Sequence, residues 1–105
     1  LNASVQQWMK GYSAKPAILS GDNSPIWSRR YSRETTASGC AELEGVLDAV
    51  GVSRIVVAHT VQPQGINSAC SGQVWRVDVG MSAHYGGSAA GLEIVGDYVT
   101  PIEMD

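Results

Sequence analysis

The sequence predicts an α/β domain in which a helix runs directly into a strand. Cys40, Leu43, Val46, Leu47 and Val50 recur at three- and four-residue steps, and a β-branched run, Ile55-Val56-Val57, follows after a short turn. A later pair of apolar runs, Leu92 to Val95 and Tyr98 to Thr100, is separated only by Gly96-Asp97, which is a hairpin signal. The length of 105 residues fits one domain with a single modest core.

Each element follows from its residues. Leu1, Val5, Trp8, Met9 and Tyr12 share one helical face, with Asn2 as a cap before Ala3 to Lys10 and Gly11 as a stop. This stripe is expected to pack on the core. Ser13 to Ser24 is small, polar and rich in breakers, so it reads as a loop. A dense aromatic and basic cluster follows: Ile26-Trp27-Ser28-Arg29-Arg30-Tyr31-Ser32-Arg33. Any one of its arginines is most simply a solvated charge, yet an Arg between aromatics in a loop can grip a phosphate or carboxylate with its planar fork.

The next helix is predicted over Ser38 to Ala49, with Ser38 as its cap and Gly51 as its left-handed end. Ile55 to Gln62 reads as a strand buried on both faces that delivers His59 to its carboxyl end, where ligands bind in open α/β sheets. A lone histidine there is more often structural than catalytic, so its neighbours decide. Thr60 to Gly72 reads as a long connection at the same sheet edge, and Val74 to Val79 as a second strand. The loop Gly80 to Gly91 then holds Met81, Ser82, His84 and Tyr85.

Composition removes several classes. A formal charge of −3 disfavours nucleic acid as the main partner and any general attraction to anionic membranes. No apolar segment is long enough to span a bilayer, and the first residues lack the pattern of a secretory leader. Cys40 and Cys70 belong to no CxxC pair, so reduced buried thiols are expected, with a disulfide as the alternative. That expectation fits a soluble protein of a mildly reducing intracellular or organellar compartment.

Ile55-Val-Val-Ala-His-Thr-Val-Gln-Pro-Gln-Gly-Ile66, Val74-Trp-Arg-Val-Asp-Val-Gly-Met-Ser-Ala-His-Tyr-Gly-Gly87 and Leu92-Glu-Ile94 together resemble the carboxyl-terminal half of calcineurin-like metallophosphoesterases. Within that superfamily the chain is most similar to the Shewanella-like protein phosphatases, and Ser24-Pro-Ile-Trp-Ser-Arg-Arg-Tyr31 matches the block before the helix in that group. The resemblance implies a four-layer α/β/β/α sandwich with a mixed sheet and flanking helices, of which residues 1–105 would form one partial domain. It also implies two divalent metals, manganese, iron or zinc, that activate a water for attack on a phosphate monoester.

By that resemblance His59 is a metal ligand, in an Ala58-His59 pair where the family usually has Gly-His; the alanine is tolerable if its φ stays negative. Arg29 falls at the phosphate-gripping arginine, with Arg30 the second choice. Tyr85 and His84 fall in the loop that lines the catalytic cleft, and Asp78 at a supporting strand-end aspartate.

The family's amino-terminal signatures, Gly-Asp-x-His, Gly-Asp-x-x-Asp-Arg-Gly and Gly-Asn-His-Glu, are absent, as is the other late histidine ligand. Gly21-Asp22-Asn23-Ser24 lacks the histidine and reads as a turn. One ligand cannot hold a two-metal centre, so the chain alone is expected to be inactive. Its partner would be a complementary amino-terminal half or another polypeptide, and its substrate a phosphorylated protein or a small phosphate ester. The alternative is a catalytically inactive, phosphatase-derived binding or structural subunit; a third reading is an unassigned α/β domain.

Overall fold

In the computed structural model, which describes residues 1–104, two helices, a three-stranded mixed sheet and a separate two-stranded hairpin follow one another. The order is α1 (Asn2–Met9), α2 (Ala37–Val50), β1 (Ile55–Val57), β2 (Asn67–Ala69), β3 (Val74–Arg76), β4 (Ala90–Val95) and β5 (Tyr98–Glu103). Short 3-10 turns cover Ala17–Leu19 and Cys70–Gly72.

Helix α2 forms where the periodicity places it, one residue longer at each end. Its cap is Thr36 rather than Ser38: the Thr36 hydroxyl accepts from the Gly39 amide at 3.1 Å. Gly51 ends the helix at φ 78°, and the amides of Gly51 and Val52 both return to the Leu47 carbonyl. Leu43 and Leu47, one turn apart, bury completely against Val74 of β3, with Tyr31, Ile55, Val57 and Ala69 around them. Each such side chain contributes about 1.5–3 kcal/mol by leaving water.

The sheet order is β1-β3-β2, with β3 parallel to β1 and antiparallel to β2. Asn67–Ala69, expected as part of a loop, is therefore an edge strand. Strand β1 covers only Ile55–Val57 of the expected Ile55 to Gln62, because His59 takes φ 66°, which turns the backbone out of the sheet. Nor is it buried on both faces. Ile55 and Val57 face the core under α2, whereas Val56 is 46% exposed because no described layer covers the opposite face.

Two further expectations fail. The α1 stripe does not pack on the core: the helix has no buried residue, and Leu1, Met9 and Tyr12 stay exposed. Only Val5 is half-buried, at an apolar hollow shared with Leu19, Pro25 and Ile26. Cys40 and Cys70 are not free thiols but a disulfide, because the first turn of α2 lies over the end of β2 and brings their Cα atoms to 5.2 Å. A disulfide leaves no free thiols among the described residues to point to a reducing compartment.

The hairpin forms as its turn dictates, with Val95 paired to Tyr98 and Gly96 at φ 60° in the first central position. It lies apart from the main sheet. The radius of gyration is 16.2 Å, against about 13 Å for a compact domain of this length. The accessible surface is 7499 Å², against about 5,700 Å² for a folded monomer of this mass.

Candidate anion-binding site beside the end of strand β1

The arginine-bearing loop is shaped by Ser24. Its buried hydroxyl accepts from the Ile26 amide at 3.3 Å, and its carbonyl accepts from the amides of Trp27 and Ser28. Arg29 then folds back on its own loop, where one terminal nitrogen donates to the Trp27 carbonyl at 3.1 Å. Its guanidinium carbon lies 5.9 Å from the centre of the Trp27 ring, within cation–π reach.

The same indole meets His59, with ring centres 6.5 Å apart and planes tilted by 43°. Trp27 is thus the common neighbour of Arg29 and His59, which are 30 residues apart in sequence. Ala58 keeps a negative φ, and the left-handed conformation falls on His59 itself, at a cost of about 1–2 kcal/mol. Beside it, the buried hydroxyl oxygen of Thr60 has no hydrogen-bond partner among the described residues.

An open cleft of about 500 Å³ is lined by Gly21, Asp22, Trp27, Arg29 and Arg33. Arg29 and Arg33 together offer two guanidinium groups to an anion, with Asp22 as the one acid on the rim. Arg30 is committed elsewhere, in an exposed ion pair with Glu42 of α2. Gly21 and Asp22 do form a turn, closed by the Ser24 amide on the Gly21 carbonyl at 3.1 Å.

His84 and Tyr85 pack edge to face on each other, ring centres 4.9 Å apart, on an exposed loop. Among the described residues no hydrogen bond or ring contact joins them to Trp27, Arg29 or His59. Asp78 has a local role: its carboxylate accepts from the Gly80 amide at 3.0 Å, and its carbonyl accepts from the Gln62 amide at 2.7 Å.

The residue that sequence reasoning passed over is Arg76. It is 9% exposed on the central strand and has no carboxylate partner among the described residues. Its guanidinium donates to the carbonyls of Tyr31 at 2.8 Å and Arg33 at 2.6 Å, and to the side-chain oxygen of Asn67 at 2.9 Å. An arginine flanked by Trp75 and Val77 in an apolar run was a legible signal of a buried, fully bonded cation.

Among the described residues no three His, Cys, Asp or Glu side chains gather as a metal site. The donors present do not fit a two-metal centre, and His59 alone cannot make one.

No family model and no solved structure matches the chain. It is 39% identical over 97 residues to Shewanella-like protein phosphatase 2 of Arabidopsis thaliana, which covers 88% of this chain and 24% of that protein. It is 33% identical over 70 residues to an uncharacterized protein of Schizosaccharomyces pombe, covering 67% of this chain and 21% of the relative. The chain thus spans about a quarter or less of the curated relatives it matches, and it is a partial homologue of a protein phosphatase.

Proposed function

We propose that residues 1–105 are the carboxyl-terminal section of a metal-dependent phosphoprotein phosphatase-like domain, in which Arg29 binds phosphate oxygens beside His59. The observation that carries this reading is the meeting of Arg29 and His59 on one indole ring, which itself lines an open basic cleft. The partial homology to a protein phosphatase supports it.

When bound, the two metals of such a domain would supply an activated water. The residues of this chain do the remaining work. Arg29 presents a charged fork to two phosphate oxygens, Arg33 adds a second charge, and Trp27 holds Arg29 on the side towards His59. The further metal ligands have to come from another segment or polypeptide. Surface in excess by about 1,800 Å², together with the uncovered face at Val56, supports a second sheet packing there, as a four-layer sandwich requires.

The test is a titration of the full chain with inorganic phosphate, followed at the arginine side-chain resonances by NMR. Arg29→Ala is expected to weaken binding roughly tenfold, the loss of one charge-assisted contact, while Arg30→Ala leaves it unchanged. Equal losses in both variants would show a diffuse basic patch and sink the assignment. Elemental analysis of the chain with its copurifying partner separates the two parent readings: about two metals per complex supports the phosphatase. A metal-free complex leaves a phosphatase-derived binding subunit.

A further inference from the structure

We infer that Arg76, Asn67 and Gln62 form a positioning frame that sets the arginine loop against His59, so that anion binding depends on a residue that never touches the anion. The inference rests on reading Arg29 and His59 as the site, and it concerns what holds them together.

Arg76 occupies the middle of three strands, opposite Val57 on one side and Asn67 on the other. Val57 is the last residue of β1, two before His59. From that position its guanidinium reaches the carbonyls of Tyr31 and Arg33, which bracket the end of the arginine loop. Those two carbonyls have few other ways to be held, because the loop has no strand ladder of its own. The turn bonds within it, from the amides of Ser32 and Arg33 to the Arg29 carbonyl, shape the loop without fixing it to the sheet.

Asn67 and Gln62 extend the frame to the other side. The Asn67 amide nitrogen donates to the Gln62 side-chain oxygen at 2.9 Å and to the Gly65 carbonyl at 3.1 Å. The Gln62 amide nitrogen donates to the Ser32 carbonyl and to the Thr60 carbonyl, each at 2.9 Å. One side chain therefore ties the loop that carries Arg29 to the residue next to His59. Every heavy-atom donor and acceptor used by these three side chains is satisfied within the network, and such networks have one low-energy arrangement. Neither Arg76 nor Gln62 lines the basic cleft. They are positioning residues.

The experiment uses the full chain and two variants that change chemistry without removing volume. Gln62→Glu turns a donor that faces two carbonyls into an acceptor, and Arg76→Lys keeps the charge but loses the fork. The wild-type chain is expected to show a nuclear Overhauser contact between the Trp27 indole and the His59 ring. Both variants are expected to lose it while the Leu43, Leu47 and Val74 methyl resonances keep their positions, and to bind inorganic phosphate about tenfold more weakly, the loss expected when one charge-assisted contact is misplaced.

Persistence of the Trp27–His59 contact in Gln62→Glu, in a chain whose core resonances are unmoved, would overturn the frame. If Arg76→Lys fails to fold, Gln62→Glu alone decides. A wild-type chain that shows the ring contact but no response to phosphate would defeat the anion reading and leave the ring contact to judge the frame.

Discussion

The block of α2 with β1, β3 and β2 and the hairpin of β4 and β5 are both regular structure, but different forces hold them. The block has Leu43, Leu47 and Val74 out of water, a disulfide from helix to sheet, and the Arg76 network beneath its loops. The hairpin has a six-residue ladder in full register and no buried residue; Val95, Tyr98 and Ile102 are exposed. Hydrogen bonds between strands contribute little net against those made with water, and a lone hairpin is marginal. Its ties to the block are few. The Arg54 guanidinium reaches the Gly96 carbonyl at 3.5 Å, and the carboxylate of Glu103 sits over Gly65. Secondary structure and stability are therefore separate properties here, divided between two parts of one chain.

That contrast can be attacked at its strongest point first. Replacing both Cys40 and Cys70 by serine removes a closure over 30 residues and is expected to cost about 3.5 kcal/mol in urea unfolding followed at the block. A loss below about 1 kcal/mol would mean that burial alone holds α2 on the sheet. Leu43→Ala empties a fully buried site and is expected to cost about 3 kcal/mol, again read at the block, with the hairpin's amide exchange unchanged. Coupled loss of hairpin protection would erase the division. Tyr98→Ser removes the most exposed large apolar side chain of the hairpin and is expected to shift the unfolding midpoint by no more than about 0.5 kcal/mol equivalent. A larger effect would reveal a packing role.

The two parts also differed in how legible they were. The hairpin's turn was readable to the residue, because Gly96-Asp97 between two apolar runs is a local signal that needs no tertiary context, while its strands run on past the expected Leu92 and Thr100 to Ala90 and Glu103. Helix α2 was equally plain, since Leu43 and Leu47 repeat at its own period. What escaped was decided at long range. Asn67-Ser68-Ala69 has no apolar alternation and becomes a strand through pairing with β3. The disulfide depends on where α2 lands, and a separation of 30 residues does not reveal that. The α1 stripe has the right period, but among the described residues it meets only the shallow hollow of Leu19, Pro25 and Ile26 and not the core.

At the site, Arg29 was separable from Arg30 only by the resemblance, and the structure adds a physical difference, because Glu42 occupies Arg30. His59 was visible as a strand-end imidazole, but its left-handed backbone was not, since no residue type at that position announces it.

The sheet order carries one more consequence. Its central strand is β3, and both neighbours, β1 and β2, precede it in the chain. As the polypeptide is synthesised, neither has a backbone partner until Val74 to Arg76 emerge, and the arginine loop is held only through Gln62 until Arg76 arrives. The keystone is laid last, and a chain interrupted a few residues earlier would hold every other stone of the arch without the arch.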